Sequence, residues 1–178
     1  MTPSRPAPTR PHKPARPPLY TPEQRRRRDA TVWTLVQGIL APVQFLVFLV
    51  SLGLVIRFLL TGEGFLAATI SIVVKTLTLY TIMVTGAIWE KVVFGQYLLA
   101  PAFFWEDVVS FGVIALHTTY LAALFLGWPA DTQMWIALAA YAAYVVNAAQ
   151  FLLKLRAARL QEAATRAAAP SPTTEIAA

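Results

Sequence analysis

The chain has 178 residues, of which 57% are hydrophobic and 13% are charged, whereas typical soluble domains contain about 25% charged residues. This composition argues against a freely soluble globular protein. The sequence contains no cysteine, which excludes disulfide scaffolds, thiolate metal sites, iron–sulfur clusters and cysteine nucleophiles. The net charge is +6, but eight of the 15 Lys and Arg residues lie within residues 1–28 and four lie beyond residue 153. These basic tails flank an apolar body, so nucleic acid is not an expected partner.

Residues 1–20 form a Pro/Arg-rich arm that we expect to be disordered, because it cannot bury enough apolar surface to offset the entropy of ordering. The arm has no apolar run of signal-peptide length, so we expect it not to be cleaved. Thr21, Pro22 and Gln24 match a capping box with proline at the first helical position, which predicts a short basic helix. Residues 161–178 are rich in Ala and then in Pro, Ser and Thr, and we expect a second disordered tail there.

Residues 21–160 are predicted to form one membrane domain. Its apolar stretches cover about 32–60, 65–94, 102–127 and 133–153. Each exceeds the ~20 residues that a helix needs to cross ~30 Å of hydrocarbon. The connections are short and contain Gly or Pro, so consecutive helices should be neighbours. The predicted fold class is therefore all-α integral membrane, with four transmembrane helices in an antiparallel bundle and a kink at Pro42.

Basic residues near the helix ends predict the orientation of the bundle. Four arginines at 25–28 precede the first span, Lys91 lies at the end of the second, and Lys154, Arg156 and Arg159 follow the fourth. With four crossings, all of these positions share one side. The loops on the other side contain acidic residues but no Lys or Arg. Both termini are therefore predicted to be cytoplasmic.

Ionisable residues inside membrane helices indicate function, because placing one at the centre costs about 2.5 to 3.5 kcal/mol on insertion scales. Helical rise predicts two polar layers. The shallow layer, about 6 to 8 Å below the cytoplasmic ends, contains Glu90, Lys91, Glu106, Asp107 and Asn147. The central layer, about 15 Å deep, contains Lys75 and His117. Because Glu106, Ser110 and His117 share one face of the third span, we expect a polar-lined cavity that opens toward the cytoplasm.

Each of these residues also has a purely structural interpretation. Trp89 and Trp105 are typical of an interfacial aromatic belt, and Lys91 is typical of a positive-inside anchor. The two carboxylates of the third span would favour the positive end of its helix dipole. His117 would be neutral and hydrogen-bonded across the bundle. The sequence leaves these alternatives open.

The remaining residue types point to acid–base chemistry. The sequence has no zincin helix, no phosphate-binding glycine loop and no serine elbow. It contains two histidines, and His12 lies in the arm, which excludes a bis-histidine haem site within one chain. Adjacent carboxyl groups in a low-dielectric site are expected to retain one proton near neutral pH and so to supply a general acid.

Three runs of the sequence resemble the 3-vinyl bacteriochlorophyllide hydratase family of purple phototrophic bacteria. They are YTPEQRRRRDATVWTLVQGILAPVQFLVFLVSL, SIVVKTLTLYTIMVTGAIWEKVVFGQYLLAPAFFWEDVVS and YVVNAAQFLLKLRAARL. The resemblance covers residues 20–160, nearly the whole membrane body. It is specific, because the polar segments WEKVVFG and APAFFWEDV are as similar to the family as the apolar segments.

The resemblance implies a hydro-lyase of bacteriochlorophyll synthesis. Such an enzyme adds water to the C3 vinyl group of chlorophyllide a or 3-vinyl bacteriochlorophyllide a and gives the 3-(1-hydroxyethyl) product. It implies no cofactor, since the magnesium is carried by the substrate. It also implies a place in the bacterial inner, or intracytoplasmic, membrane, where other enzymes of bacteriochlorophyll synthesis are candidate partners beside the lipid bilayer.

For this reaction we assign roles to the polar residues as hypotheses. Glu106 or Asp107 donates a proton to the vinyl group, and Glu90 stabilises the developing cation or deprotonates the attacking water. Lys91 holds the substrate propionate or balances the carboxylates. His117 is an axial ligand of the substrate magnesium through a neutral imidazole. The remaining candidates for substrate binding are Lys75, Tyr80, Trp89, Trp105 and Asn147.

Two other classes of protein fit parts of the pattern. A non-catalytic tetrapyrrole carrier or assembly factor would have the same cavity but release the pigment unchanged. A small four-helix transporter would also contain membrane-embedded carboxylates. Transporter carboxylates usually lie near the midplane, whereas those of this chain cluster at the cytoplasmic end, which disfavours transport.

Overall fold

The computed structural model describes residues 18–168, and every regular element in that range is a helix. The predicted disorder of residues 1–17 and 169–178 concerns residues outside that range. The helices are α1 (Pro22–Ala30), α2 (Val32–Thr61), α3 (Phe65–Phe94), α4 (Phe104–Phe125) and α5 (Ala130–Ala168). The predicted all-helical class is thus confirmed for the described residues.

Helices α2 to α5 are each long and apolar enough to cross a membrane, as predicted. Many of their large apolar side chains point away from the protein. Leu60 is 80% exposed and Phe125 is 86% exposed, and they belong to a long series of exposed Leu, Ile, Val and Phe residues. A soluble monomer rarely exposes apolar surface on this scale, whereas a bilayer covers it with lipid tails. The chain is therefore a multi-pass membrane protein.

The helix ends follow from local sequence. The predicted capping box is present, because the Gln24 N–H donates to Thr21 Oγ1 at 3.2 Å and the Thr21 N–H donates to Gln24 Oε1 at 2.9 Å. Thr31 separates α1 from α2 and accepts from the Trp33 N–H. The turn after α2 reverses the chain at Gly62, whose φ of 73° is unfavourable for residues with a Cβ.

The four long helices pack chiefly as two pairs, α2 with α3 and α4 with α5. Side-chain hydrogen bonds fix the register of each pair. In the first pair they join Trp89 to Thr34 at 2.9 Å, Gln37 to Thr85 at 2.8 Å, and Ser51 to Ser71 at 2.7 Å. In the second pair Asn147 donates to Ser110 at 2.8 Å, and Lys154 is bonded to Glu106. In both pairs, residue numbers rise along one helix as those of the contacting residues fall along the other.

One face of α4 is buried along the length of the helix. Its buried residues are Glu106, Asp107, Ser110, Val113, His117, Tyr120 and Ala123. This set contains Glu106, Ser110 and His117, the residues predicted to share a face. The ionisable residues of α4, namely Glu106, Asp107, His117 and Tyr120, are therefore buried inside the bundle.

Helix α5 is longer than the predicted span over 133–153. It begins just after Pro129 and continues to Ala168, because residues 154–168 are rich in Ala, Arg and Leu, which favour helix. Residues 161–168 are thus helical where disorder was predicted. Glu162 in this segment forms ion pairs with Arg28 at 3.2 Å and Arg25 at 3.4 Å, which join α5 to α1.

Candidate active site

A cavity of about 580 Å³ lies among α2, α3, α4 and α5 and reaches α1. Its volume falls within the range of about 300 to 1,000 Å³ that is usual for small-molecule sites. Its walls are mainly apolar and include Ala41, Leu79, Met83, Ala87 and Phe151. Small side chains on the facing helices α2 and α3 leave this space open.

Glycines contribute directly to the open space. Gly38 of α2 and Gly86 of α3 both line the cavity. A Cβ added at Gly38 would have no neighbour within 4 Å, and one at Gly86 would come no closer than 3.8 Å, to the Gln37 amide. The absence of side chains at these positions therefore adds open space to the cavity.

Two carboxyl groups on different helices meet at the cavity. Glu90 of α3 is 5% exposed and Asp107 of α4 is 3% exposed, and both line the cavity. The two carboxyl groups accept from the N–H groups of two successive residues, Leu99 and Ala100, so they lie close together. Two such groups in a largely apolar site are the kind of pair that general acid–base catalysis uses.

Backbone N–H groups of the loop between α3 and α4 hold this carboxyl pair. The Leu99 N–H donates to Asp107 Oδ2 at 2.7 Å, and the Ala100 N–H donates to Glu90 Oε2 at 3.2 Å. Leu99 has a φ of 59°, in the left-handed region, which costs about 1 to 2 kcal/mol for a residue with a Cβ. Consecutive N–H groups around a left-handed residue are typical of anion-binding turns. The strained turn therefore directs two successive donors at two carboxyl groups.

Aromatic residues line the cavity beside the carboxyl pair. Trp89 and Phe103 line it, and their rings meet edge to face with centroids 5.7 Å apart. Tyr20 also lines it, and the Arg28 guanidinium lies 4.7 Å from the centroid of the Tyr20 ring. Burial raises the pKa of Tyr20 to about 12, so its phenol stays protonated at neutral pH.

Four of the ten residues predicted for the site line this cavity: Glu90, Asp107, Trp89 and Asn147. Asn147 Nδ2 donates to Ser110 Oγ, which in turn donates to the Glu106 carbonyl oxygen at 2.9 Å. The structure thus brings together one carboxyl group from each of two helices, an indole and an amide.

Two predicted residues of the shallow layer, Glu106 and Lys91, lie elsewhere, and so does the predicted binding residue Trp105. The Glu106 carboxylate is buried and forms an ion pair with Lys154. Lys91 Nζ donates to the Gly95 carbonyl oxygen at 2.9 Å and lies 5.2 Å from the centroid of the Tyr97 ring. Trp105 is 69% exposed. None of the three is among the residues that line the cavity.

The three predicted residues of the deeper region are also separate from the cavity lining. Lys75 is fully buried, with Nζ 3.7 Å from the centroid of the Tyr144 ring. His117 is fully buried, and its Nδ1 lies 2.9 Å from the Val113 carbonyl oxygen. The Tyr80 hydroxyl lies 2.7 Å from Thr118 Oγ1.

Sequence reasoning missed the N–H donors of the α3–α4 loop and the charged residues at the cavity mouth. The mouth residues are Arg28, Asp29, Arg159 and Glu162. Arg159 and Glu162 could have been found from the high helix propensity after residue 153. If α5 is predicted to continue beyond the membrane, the face of the helix that lines the cavity continues with it. A left-handed Leu has no comparable signal in the sequence.

Comparisons with known proteins agree with these observations. The family model described as 2-vinyl bacteriochlorophyllide hydratase matches residues 20–157. A curated protein of that name from Rhodobacter capsulatus is 75% identical over 156 residues, which are 88% of this chain and 91% of the relative. Another from Cereibacter sphaeroides is 75% identical over 153 residues, 86% of this chain and 95% of the relative.

No solved structure shows a significant match to the chain. The family assignment therefore rests on sequence similarity. The match runs from Tyr20, which lines the cavity, to residue 157 within α5, and so covers nearly the whole described part of the molecule. The chain belongs to the 2-vinyl bacteriochlorophyllide hydratase family and is an enzyme of the hydro-lyase class.

Proposed function

We propose that this enzyme adds water to the C3 vinyl group of chlorophyllide a or 3-vinyl bacteriochlorophyllide a and gives the 3-(1-hydroxyethyl) product. The names of the relatives place the vinyl group at position 2, which in the older numbering of the macrocycle is the carbon now called C3. The observation that carries the proposal is the pair of buried carboxyl groups at the wall of a largely apolar cavity of about 580 Å³.

The reaction needs an acid, a base and one water molecule. Protonation of the terminal vinyl carbon leaves positive charge on the carbon attached to the macrocycle, where the conjugated ring system spreads it. Water then attacks that carbon and loses a proton. In our proposal the protonated member of the Glu90–Asp107 pair supplies the first proton, and the ionised member takes the proton from water. A carboxylate beside the cation also stabilises it electrostatically.

The proximity of the two carboxyl groups gives the proposed site a way to reset. After one turnover the acid has lost its proton and the base has gained one. Because the two groups accept from successive N–H groups of one turn, one proton transfer between them, direct or through a water molecule, restores the starting state. The substrate gains one water, and the enzyme ends unchanged.

The roles that we propose for the other predicted residues depend on whether each one lines the cavity. Trp89 and Asn147 line the cavity and are proposed to contact the macrocycle. Glu106 is paired with Lys154, so the proposal places the chemistry on Asp107 and Glu90. His117 lies outside the lining, so this placement does not support the hypothesis that its imidazole is an axial ligand of the substrate magnesium.

We also propose an antiparallel bundle in the bacterial inner membrane with both termini in the cytoplasm. The opposed residue numbering in the two helix pairs supports the arrangement, and the basic residues of α1 and of the end of α5 support the orientation. Because the chain has no cysteine, Gln96→Cys and Glu63→Cys each introduce a single thiol. A membrane-impermeant maleimide added to spheroplasts is expected to label the Glu63→Cys protein and not the Gln96→Cys protein; the reverse pattern would invert the topology.

The activity itself is tested by expressing the chain in a non-photosynthetic bacterium and supplying chlorophyllide a to the isolated membranes. We expect the pigment to gain the mass of one water and its absorption to change as the vinyl group leaves conjugation, with neither change in control membranes. If 3-vinyl bacteriochlorophyllide a and chlorophyllide a were both bound and both recovered unchanged, the hydratase proposal would fail for these substrates.

A further inference from the structure

The cavity continues beyond the membrane spans to a charged mouth. Two mouth residues, Arg28 and Asp29, come from α1, and two others, Arg159 and Glu162, come from the extension of α5. The carboxyl pair lies deeper in the same cavity. A ligand that reaches the carboxyl pair and also fills the mouth therefore meets charge at both of its ends.

Both acids of the mouth are already neutralised by arginines of α1. Asp29 Oδ1 lies 2.8 Å from Arg28 Nε, and Glu162 Oε1 lies 3.2 Å from an Arg28 terminal nitrogen and 3.4 Å from Arg25 Nε. Arg159 also lines the mouth, and within residues 18–168 it has no carboxylate partner. As far as residues 18–168 are concerned, the Arg159 guanidinium is thus left free to bind whatever occupies the cavity.

Helix geometry places Arg159 at a defined distance from the carboxyl pair. Asn147 is bonded to Ser110, so these two residues lie at the same level. Arg159 lies about 18 Å beyond Asn147 along α5, and Asp107 lies about 4.5 Å from Ser110 in the same direction. The separation along the bundle axis is therefore about 13 Å, which the long Arg side chain shortens. This span is of the order of the width of a chlorin macrocycle.

We propose that Arg159 binds the free carboxylate of the pigment's propionate side chain and so orients the macrocycle with its vinyl group at the carboxyl pair. The inference rests on the proposed function, because the carboxylate in question belongs to the proposed substrate. A chlorophyllide is the free acid of the pigment, with the vinyl group on one ring and the propionate on another. Arg matches a carboxylate with two parallel N–H donors. The enzyme then prefers the free acid to its esters.

The test measures binding separately from turnover. Purified full-length protein in detergent is titrated with chlorophyllide a and with its methyl ester, and pigment absorption or fluorescence gives each Kd. For the wild type we expect the ester to bind about five- to tenfold more weakly than the acid. In Arg159→Gln the Kd of the acid is expected to rise to that of the ester, so the preference disappears, while Arg159→Lys retains part of it.

Arg156→Gln is the matched control, because Arg156 is an exposed arginine one turn earlier on α5 that does not line the cavity. It is expected to keep the wild-type preference for the acid. An Arg159→Gln protein that keeps this preference overturns the proposal, and so does a wild type that binds acid and ester equally.

Failure of the two proposals can be told apart. A wild type that prefers the acid through Arg159 but never hydrates it refutes the hydratase proposal and leaves the carboxylate site standing. A wild type that hydrates acid and ester equally well refutes the carboxylate site alone. If neither pigment binds, both proposals fall.

Discussion

The shallow and the central polar layers of this bundle differ in what holds their titratable groups. In the shallow layer Glu90 and Asp107 border an open cavity and accept backbone N–H groups from a loop. In the central layer Lys75 and His117 are sealed by packing, with Lys75 over the Tyr144 ring. Both layers contain costly polar groups in a membrane, yet only the shallow one borders space for a substrate. Burial of an ionisable group therefore does not by itself identify an active site; burial beside an open cavity does.

The largest expected effect comes from removing either carboxyl group of the shallow layer. Asp107→Asn and Glu90→Gln each keep the shape of the side chain but remove its acid–base function. We expect kcat to fall about 1,000-fold, while pigment binding changes little because the apolar walls are intact. Product formation by absorption gives kcat, and pigment titration gives Kd. Glu63→Gln, in the loop at the opposite end of the bundle, is the control. If kcat fell comparably only in Glu106→Gln, the catalytic acid would be Glu106 and not a member of the Glu90–Asp107 pair.

Filling the cavity should leave the shallow layer without open space for a substrate, as in the central layer. Gly38→Leu places a large side chain where an added Cβ meets nothing within 4 Å, so the helix tolerates it and the cavity shrinks. We expect pigment affinity to fall more than tenfold with an unchanged melting temperature. Gly53→Leu is the matched control, since Gly53 has equally open surroundings on the same helix but lies away from the cavity. Equal affinities of the two variants would show that the pigment binds elsewhere.

The strained turn at Leu99 gives a smaller effect that depends on backbone conformation. Glycine adopts the left-handed region freely, whereas a β-branched residue strongly disfavours it. Leu99→Gly is therefore expected to keep the activity, and Leu99→Val to lower kcat about tenfold by turning the N–H away from Asp107. Initial rates at saturating pigment compare the two. If Leu99→Val were as active as Leu99→Gly, the turn would not position the carboxyl pair.

The smallest effect is expected in the central layer. Lys75→Met replaces a buried amino group, whose Nζ has no hydrogen-bond partner in the described part of the chain, by an apolar side chain of similar length. Because burying a polar group without a hydrogen-bond partner is unfavourable, we expect the melting temperature to stay the same or rise. The hydration rate should stay within about twofold. If Lys75→Met lost as much activity as Asp107→Asn, Lys75 would take part in catalysis, contrary to the proposal.

The sequence predicts the transmembrane body well, because a long apolar run reports directly on burial in lipid. The same criterion of apolar length predicts the end of α5 poorly, because it does not detect helix outside the lipid. At Lys154 the sequence stops being apolar but continues to favour helix, so a criterion based on apolar length ends the helix at residue 153 while the chain continues it to Ala168.

Within the site, helical rise gives the depth of a residue but not its rotation about the helix axis. Glu106 and Asp107 have almost the same depth, yet adjacent residues point about 100° apart. One therefore meets Lys154 while the other borders the cavity. The support from the Leu99 N–H depends on a left-handed φ, which nothing in the identity of a leucine indicates.

The length of α5 gives the two ends of the cavity different responses to salt. At 39 residues the helix is about 58 Å long, roughly twice the hydrocarbon thickness, so its last turns and their ion pairs with α1 stand in water. Charges there are screened over about 8 Å at physiological ionic strength, whereas a group inside the bundle is screened much less. If the proposed function holds, we expect a higher salt concentration to weaken the capture of an anionic pigment at the mouth and to leave proton transfer at the carboxyl pair unchanged. Ionic strength should then act on kcat/KM and not on kcat.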